Sequence, residues 1–229
     1  MVPDRRCQNG SVLVLGVDTA TAAVTAVLGE VTDRGVRVIE SAVTVDARGH
    51  GERLAPAVDA VLRRAGRAPG DLAAIVAGTG PGPFTGLRVG MVTATAMAQA
   101  LDIPVYGVCS LDAIGAATAP GRVLVATDAR RREVYWAVYA NGAREGGPAV
   151  DPPGYVATVA HADRAAGDGA LKYAETLGLP AGEPRYPVPA CLLRLAAPRI
   201  TAGAPTETLE PRYLRRPDAV PPAARKPAR

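Results

Sequence analysis

The stretch Gly78–Gly90, GTGPGPFTGLRVG, carries five glycines and two prolines in thirteen residues. An apolar run, Leu72–Ala77, precedes it, and a stretch without charge, Val89–Leu101, follows. Strand, glycine turn and helix is the local plan of a phosphate-binding loop. A Walker loop needs a lysine directly after its last glycine. Neither Gly82 nor Gly86 is followed by one, and the two lysines, Lys172 and Lys226, stand far away. The dinucleotide pattern requires a third glycine where Pro83 or Thr85 stands. What remains is a tight turn that lets a helix pack close to a sheet, with Gly80, Gly82, Thr85 and Gly86 as its loop residues. An anion held at the helix N-terminus is the alternative.

Working outward, Val12–Val17 is a near-continuous apolar run, as expected of a strand covered on both faces. Ala23–Leu28 and Val36–Val45 follow after connections too short for a crossover helix, so the three form an antiparallel meander. Leu54, Val58, Val61, Leu62 and Ala65 recur at helical spacing, which predicts a helix over about 50–65, ended at Gly66. Leu72–Ala77 is a strand, and a second helix runs over about 85–101. Val105–Val108 opens a second half, with strands at Val123–Ala126 and Glu133–Tyr139 and a hairpin turn at Asn141-Gly142. Residues 146–165 are rich in Gly and Pro and poorly patterned. Helical spacing returns at Ala170–Gly178 and Ala190–Ala202. This order predicts an α/β protein of two ribonuclease H-like lobes, the actin-like ATPase architecture, with mixed sheets and flanking helices. The expected division is a flexible start at 1–10, one lobe at 11–104, a second at 105–217 and a flexible basic tail at 218–229. The helix near 190–202 is a candidate to pack back on the first lobe.

The chain of 229 residues is 48% hydrophobic, with only seven tyrosines, one phenylalanine and one tryptophan, so the core is built from small aliphatics. Net charge is +4. From Arg212 to Arg229 six basic residues stand against Asp218, giving +5 and leaving about −1 elsewhere. That proline-rich end reads as a solvated arm rather than as a phosphate contact. Cys7, Cys109 and Cys191 are odd in number and far apart, which fits a reducing compartment better than a disulfide framework. Arg5-Arg6 precede an apolar stretch that stops at Asp18, so this reads as a buried strand rather than an export signal. Val89–Leu101 is too short to span a bilayer. A soluble, cytoplasmic protein is expected.

Candidates for catalysis are few. His50 and His161 have no metal-site spacing, and a cysteine nucleophile beside either has nothing in the sequence to assemble it. Asp18 and Asp128, each ending an apolar strand, are the best pair of cleft carboxylates. In an actin-like kinase such acids hold magnesium or act as general base. Asp18-Thr19-Ala20-Thr21, however, lacks the glycine that lets that fold's first hairpin approach a phosphate.

Gly80–Gly90 resembles the signature of the family of the bacterial tRNA threonylcarbamoyladenosine biosynthesis protein TsaB, the dimerisation subunit of a transferase complex. Val17–Ala20, His50–Leu54, Gly107–Ala113, Asp128–Tyr135, Gly167–Ala170 and Pro211–Arg215 are similar to further stretches of that family. The likeness covers about residues 11–217, while 146–166 depart from the family pattern. The resemblance implies the two-lobe fold, pairing with the catalytic relative TsaD and with the ATPase TsaE, tRNA reached through that complex, and no cofactor. Alone, the chain is expected to pair with a second copy of itself, because Val89–Leu101 is uncharged and its small residues allow close helix approach. TsaD carries a metal-binding histidine pair at the places that here fall on Ser110 and Ile114. The resemblance therefore implies a supporting subunit without a catalytic metal. An ATP-dependent small-molecule kinase with Asp18 and Asp128 at the metal is the alternative.

The residues alone point to a partner as well. A helix with no charged face is normally buried all round, and a sheet covers only one side of Val89–Leu101. The outward side is expected to carry Arg88, Val92, Thr95 and Gln99. Together with the helix at 50–65 it would form the partner interface.

Overall fold

Val12–Asp18 forms β1, paired antiparallel with β2 (Ala23–Thr32) in the register Val17 opposite Ala26. β2 pairs in turn with β3 (Gly35–Val45), with a bulge at Leu28/Gly29. A computed structural model describes residues 10–215. The expectations for residues 1–9 and for the tail at 218–229 lie outside that span. From β3 the chain crosses through α1 (His50–Arg64) to β4 (Ala74–Gly78), parallel to β1, and through α2 (Phe84–Leu101) to β5 (Val105–Val108), parallel to β4. The first sheet therefore runs β3-β2-β1-β4-β5.

The second sheet repeats this plan. β6 (Arg122–Asp128), β7 (Val134–Ala140) and β8 (Ala143–Asp151) form an antiparallel meander; β9 (Arg164–Ala166) lies parallel to β6 and β10 (Ala181–Gly182) parallel to β9. Its order is β10-β9-β6-β7-β8. Two mixed sheets, each a three-strand meander extended by parallel strands, are the expected ribonuclease H-like architecture.

Period-two alternation explains why β1 reads as unbroken hydrophobicity. Leu13, Leu15 and Val17 pack with Leu54, Val58, Val61 and Leu62 of α1 and Ala94 and Ala98 of α2. Val14, on the opposite face, packs with Val27, Val76 and the residues Leu192, Leu193 and Ala196 of α7 (Pro189–Thr201). The last helix thus closes the first sheet. In the second sheet, α3 (Ser110–Gly115) covers one face through Leu111 and Ile114. α4 (Pro153–Val159), α5 (Asp168–Lys172) and α6 (Ala174–Leu177) cover the other through Val156, Ala170 and Leu177.

Two expectations are corrected, and one segment without an assignment gains one. Val105–Val108 does not open the second half: it is the last strand of the first sheet, because parallel pairing with β4 satisfies its backbone. The segment 146–165 is ordered as the end of β8, α4 and β9, although Gly146-Gly147-Pro148 hides the pattern. The helical stretch Ala170–Gly178 is two short helices that meet at Tyr173. After α7 the chain returns along β5. The Glu207 amide donates to Val105 O at 2.9 Å, and the Glu207 carboxylate accepts from the Gly107 amide at 2.9 Å and pairs with Arg199 at 2.6 Å. These contacts cover an otherwise open sheet edge.

Candidate functional site

The glycines around the loop are spaced by four, at Gly78, Gly82, Gly86 and Gly90, and all face the β1–β2 turn. A Cβ would lie 1.8 Å from Asp18 Oδ2 at Gly78, 2.1 Å from Ala20 O at Gly82 and 2.7 Å from Thr19 Oγ1 at Gly90. The Thr19 hydroxyl donates to Gly86 O at 2.7 Å and accepts from the Gly90 amide at 2.8 Å, which clips the turn to the first part of α2. His50, at the start of α1, adds a 2.7 Å hydrogen bond from Nε2 to Thr21 O. Gly80, at φ +85°, exchanges hydrogen bonds with Ser110, while Thr85 is exposed on the first turn of α2. The glycine stretch is therefore a packing device. Asp18 to Thr21, where a phosphate would approach this fold, is buried by the protein's own helix.

Asp18 and Asp128 stand in different surroundings. Asp18 is 1% exposed, with Oδ1 accepting from the Ala20 amide at 2.8 Å and Oδ2 from the Ser110 hydroxyl at 2.5 Å. Burial pushes its carboxyl up to about 6 against the pull of those two hydrogen bonds and of His50. Asp128 instead lines a cleft of about 70 Å³ with Thr21, His50, Pro83, Thr127, Arg130 and Asp168. It pairs with Lys172 at 2.9 Å. Small-molecule sites usually enclose about 300–1,000 Å³, several times the volume of this cleft. The pairing of Asp18 and Asp128 as cleft carboxylates is corrected: a strand-end acid looks the same in sequence whether a cleft or a serine receives it. Ser110 and Ile114 are both fully buried, and the Ser110 hydroxyl is committed to Asp18. No group of three or more His, Cys, Asp or Glu side chains fit for a metal occurs among the described residues. Cys109 and Cys191 are buried, and burial pushes both thiols up.

α2 turns Gly86, Leu87, Gly90, Met91, Ala94 and Ala98 inward. Arg88, Val92 and Gln99 are exposed, Val92 to 64%, and Thr95 is half-buried. Thr95 and Gln99 also line a groove of about 880 Å³ beside the returning segment 203–209. Arg88 is already engaged: its guanidinium lies 3.9 Å over the Phe84 ring, and its Nε donates to Tyr213 Oη at 2.6 Å. Phe84 and Tyr213 stack at 5.2 Å between ring centroids. Phe84, half-exposed, was not anticipated as part of this face, although Phe84 and Arg88 stand one helical turn apart.

The family model of TsaD, tRNA N6-adenosine threonylcarbamoyltransferase, matches residues 38–196. An uncharacterized protein of Mycobacterium tuberculosis is 53% identical over 213 residues, spanning 91% of this chain and 94% of that protein. A Mycobacterium leprae relative is 50% identical over 214 residues, and there the chain spans only 56% of the relative's length. The tRNA threonylcarbamoyladenosine biosynthesis protein TsaB of Bacillus subtilis is 36% identical over 128 residues, 55% of this chain and 54% of that protein. Among solved structures, YeaZ from Pseudomonas aeruginosa superposes with a TM-score of 0.73 at 32% identity, covering 89% of this chain and 100% of that one. With this fold, the glycine-packed turn and these relatives, the chain belongs to the TsaB family of tRNA threonylcarbamoyladenosine biosynthesis proteins.

Proposed function

We propose that this chain is a supporting, non-catalytic subunit for threonylcarbamoyl transfer to the adenosine beside the anticodon of tRNA, acting with TsaD and the ATPase TsaE. One observation carries the reading: the turn where a phosphate would enter the fold is filled by the four-residue glycine spacing, leaving a cleft of about 70 Å³. The fold is kept while its ligand position is closed, so what it offers is surface. That surface is the side of α1 and α2 facing away from the sheet, with Arg88, Val92, Thr95 and Gln99. α2 carries no charge from Val89 to Leu101. Its exposed small residues, such as Ala96 and Ala100, allow a second helix to come close. Self-pairing of one patch is the usual route to a homodimer, and a partner of related fold could occupy the same face. Among the described residues no helix is long and apolar enough to cross a membrane.

The test is reconstitution with TsaD, TsaE, threonylcarbamoyl-adenylate and tRNA. Modification is expected to depend on this chain, and equal modification with and without it overturns the reading. The kinase alternative finds no support in the filled turn. Calorimetry of the isolated chain with Mg-ATP is expected to show no binding.

A further inference from the structure

α2 carries one stripe along its outward side. Phe84, Arg88, Val92, Thr95 and Gln99 follow at intervals of four and three, the spacing that keeps side chains on one face of a helix. The C-cap residue Asp102 continues it three residues further on. The two ends of the stripe differ in shape and charge. At the N-terminal end Phe84 and Tyr213 stand out from the surface with their rings stacked, and the Arg88 guanidinium lies over Phe84. The hydrogen bond from Arg88 Nε to Tyr213 Oη fixes the plane of that guanidinium. Its two terminal nitrogens have no partner among the described residues.

At the C-terminal end lies the groove of about 880 Å³ between α2 and the returning segment 203–209, walled by small and aliphatic residues such as Ala98, Ile103 and Leu209. Two carboxylates line it. Glu207 is already paired with Arg199, whereas Asp102 makes no ion pair among the described residues. The last carbonyls of a helix carry partial negative charge. This 18-residue helix has no basic residue in its last turn to offset them. An acid at that point is disfavoured in the isolated chain, and a cation is drawn to it.

We infer that this face binds a second copy of the chain, antiparallel, with the two-fold axis at Thr95. The inference rests on the partner face proposed above and supplies its occupant and register. A two-fold contact requires one patch that complements itself. Arg88 and Asp102 stand seven residues to either side of Thr95, about 10 Å each way along the helix. Rotation about Thr95 lays each aromatic end on the other copy's groove and sets each Arg88 against Asp102 of the other copy. Thr95, small and half-buried, meets itself at the axis, and Val92 falls opposite Gln99. Parallel pairing sets Arg88 against Arg88 and leaves both grooves empty. Interfaces gather aromatic and arginine side chains at their centre, and the exposed Phe84, Val92 and Tyr213 all belong to this face. The equal spacing favours a copy of this chain over an unrelated partner, whose two ends need not match.

The test is a charge swap in the full chain, read by sedimentation over a concentration series. Arg88→Asp sets two carboxylates together at both ends of the contact, and Asp102→Arg sets two guanidinium groups together. Each variant alone is expected to dimerise at least about tenfold more weakly than the parent. Mixed one to one, the two variants regain an opposite pair at both ends, so the mixture should dimerise within about threefold of the parent. Circular dichroism melts report whether each variant folds. If Arg88→Asp does not, Val92→Cys and Gln99→Cys decide in its place. With diamide as oxidant they should give a covalent dimer when mixed, and far less when each is alone. Single variants that dimerise like the parent, a mixture no better than its components, or cysteine variants that cross-link only with themselves overturn the inference. A parent that stays monomeric yet pairs with TsaD also overturns it. That result leaves the supporting-subunit reading in place, because reconstitution with tRNA judges that reading separately.

Discussion

Val92→Glu is the sharpest probe of the proposed partner face. Val92 is 64% exposed on α2, and no charged residue lies between Val89 and Leu101. In the isolated chain the change touches no packed neighbour, and Glu is at least as good a helix former as Val. The folding cost is therefore within about 0.5 kcal/mol, about 2 °C or less in melting temperature for a domain of this size. If a second helix lies over this face, the carboxylate is buried without a partner. By analogy with broken buried pairs that costs about 3–5 kcal/mol, which weakens Kd between about a hundredfold and several thousandfold. The assay is light scattering of the variant alone and mixed with TsaD, alongside thermal melts by circular dichroism. The expected result is an unshifted melt with loss of both the homodimer and the TsaD pair. A variant that melts normally and still forms both assigns the interface elsewhere. Thr95→Arg is the weaker companion, because Thr95 is half-buried.

Asp18 makes stability depend on pH. Its folded carboxyl titrates near 6 against the usual 3.8, so between those values the folded state holds a proton that the unfolded chain has lost. Stability then falls as pH rises through that window, by up to about 3 kcal/mol. Melting curves of Asp18→Asn should lack this fall, and parallel pH profiles for variant and parent would refute the assignment. The glycine spacing predicts two opposite outcomes for one substitution. Gly82→Ala drives a methyl into the Ala20 carbonyl and should cost several kcal/mol in a denaturant melt, on the order of other overpacked sites. Gly51→Ala meets nothing within 4 Å and should stabilise α1 by up to about 1 kcal/mol.

Much of the first sheet was legible because its signals are local. The meander needs only short connections, and α1 declares itself through Leu54, Val58, Val61 and Leu62, all buried. β8 was not legible: its half-exposed strand is stabilised by the ladder with β7, whose register slips twice. Nor was the membership of β5, since parallel pairing joins segments across a helix and carries no local mark. The site failed in the same way. The hydroxyl that receives Asp18 lies 92 residues along the chain. Tyr213, which caps Arg88, lies 125 residues away. Aspartate at a strand end and phenylalanine on a helix are common, and only the distant partner gives each its role.

The position of α7 has a consequence for synthesis. Every strand of the first sheet has been made once Val108 leaves the ribosome, but the helix that covers Val14, Val27 and Val76 ends at Thr201, about 90 residues later. At about 5–20 residues per second, one apolar face of a finished sheet stays uncovered for about 5–20 s. The nascent chain must wait through its whole second half before α7 can cover that face. A premature stop anywhere before Pro189 would leave the first sheet complete in its strands, open on one side and prone to aggregate.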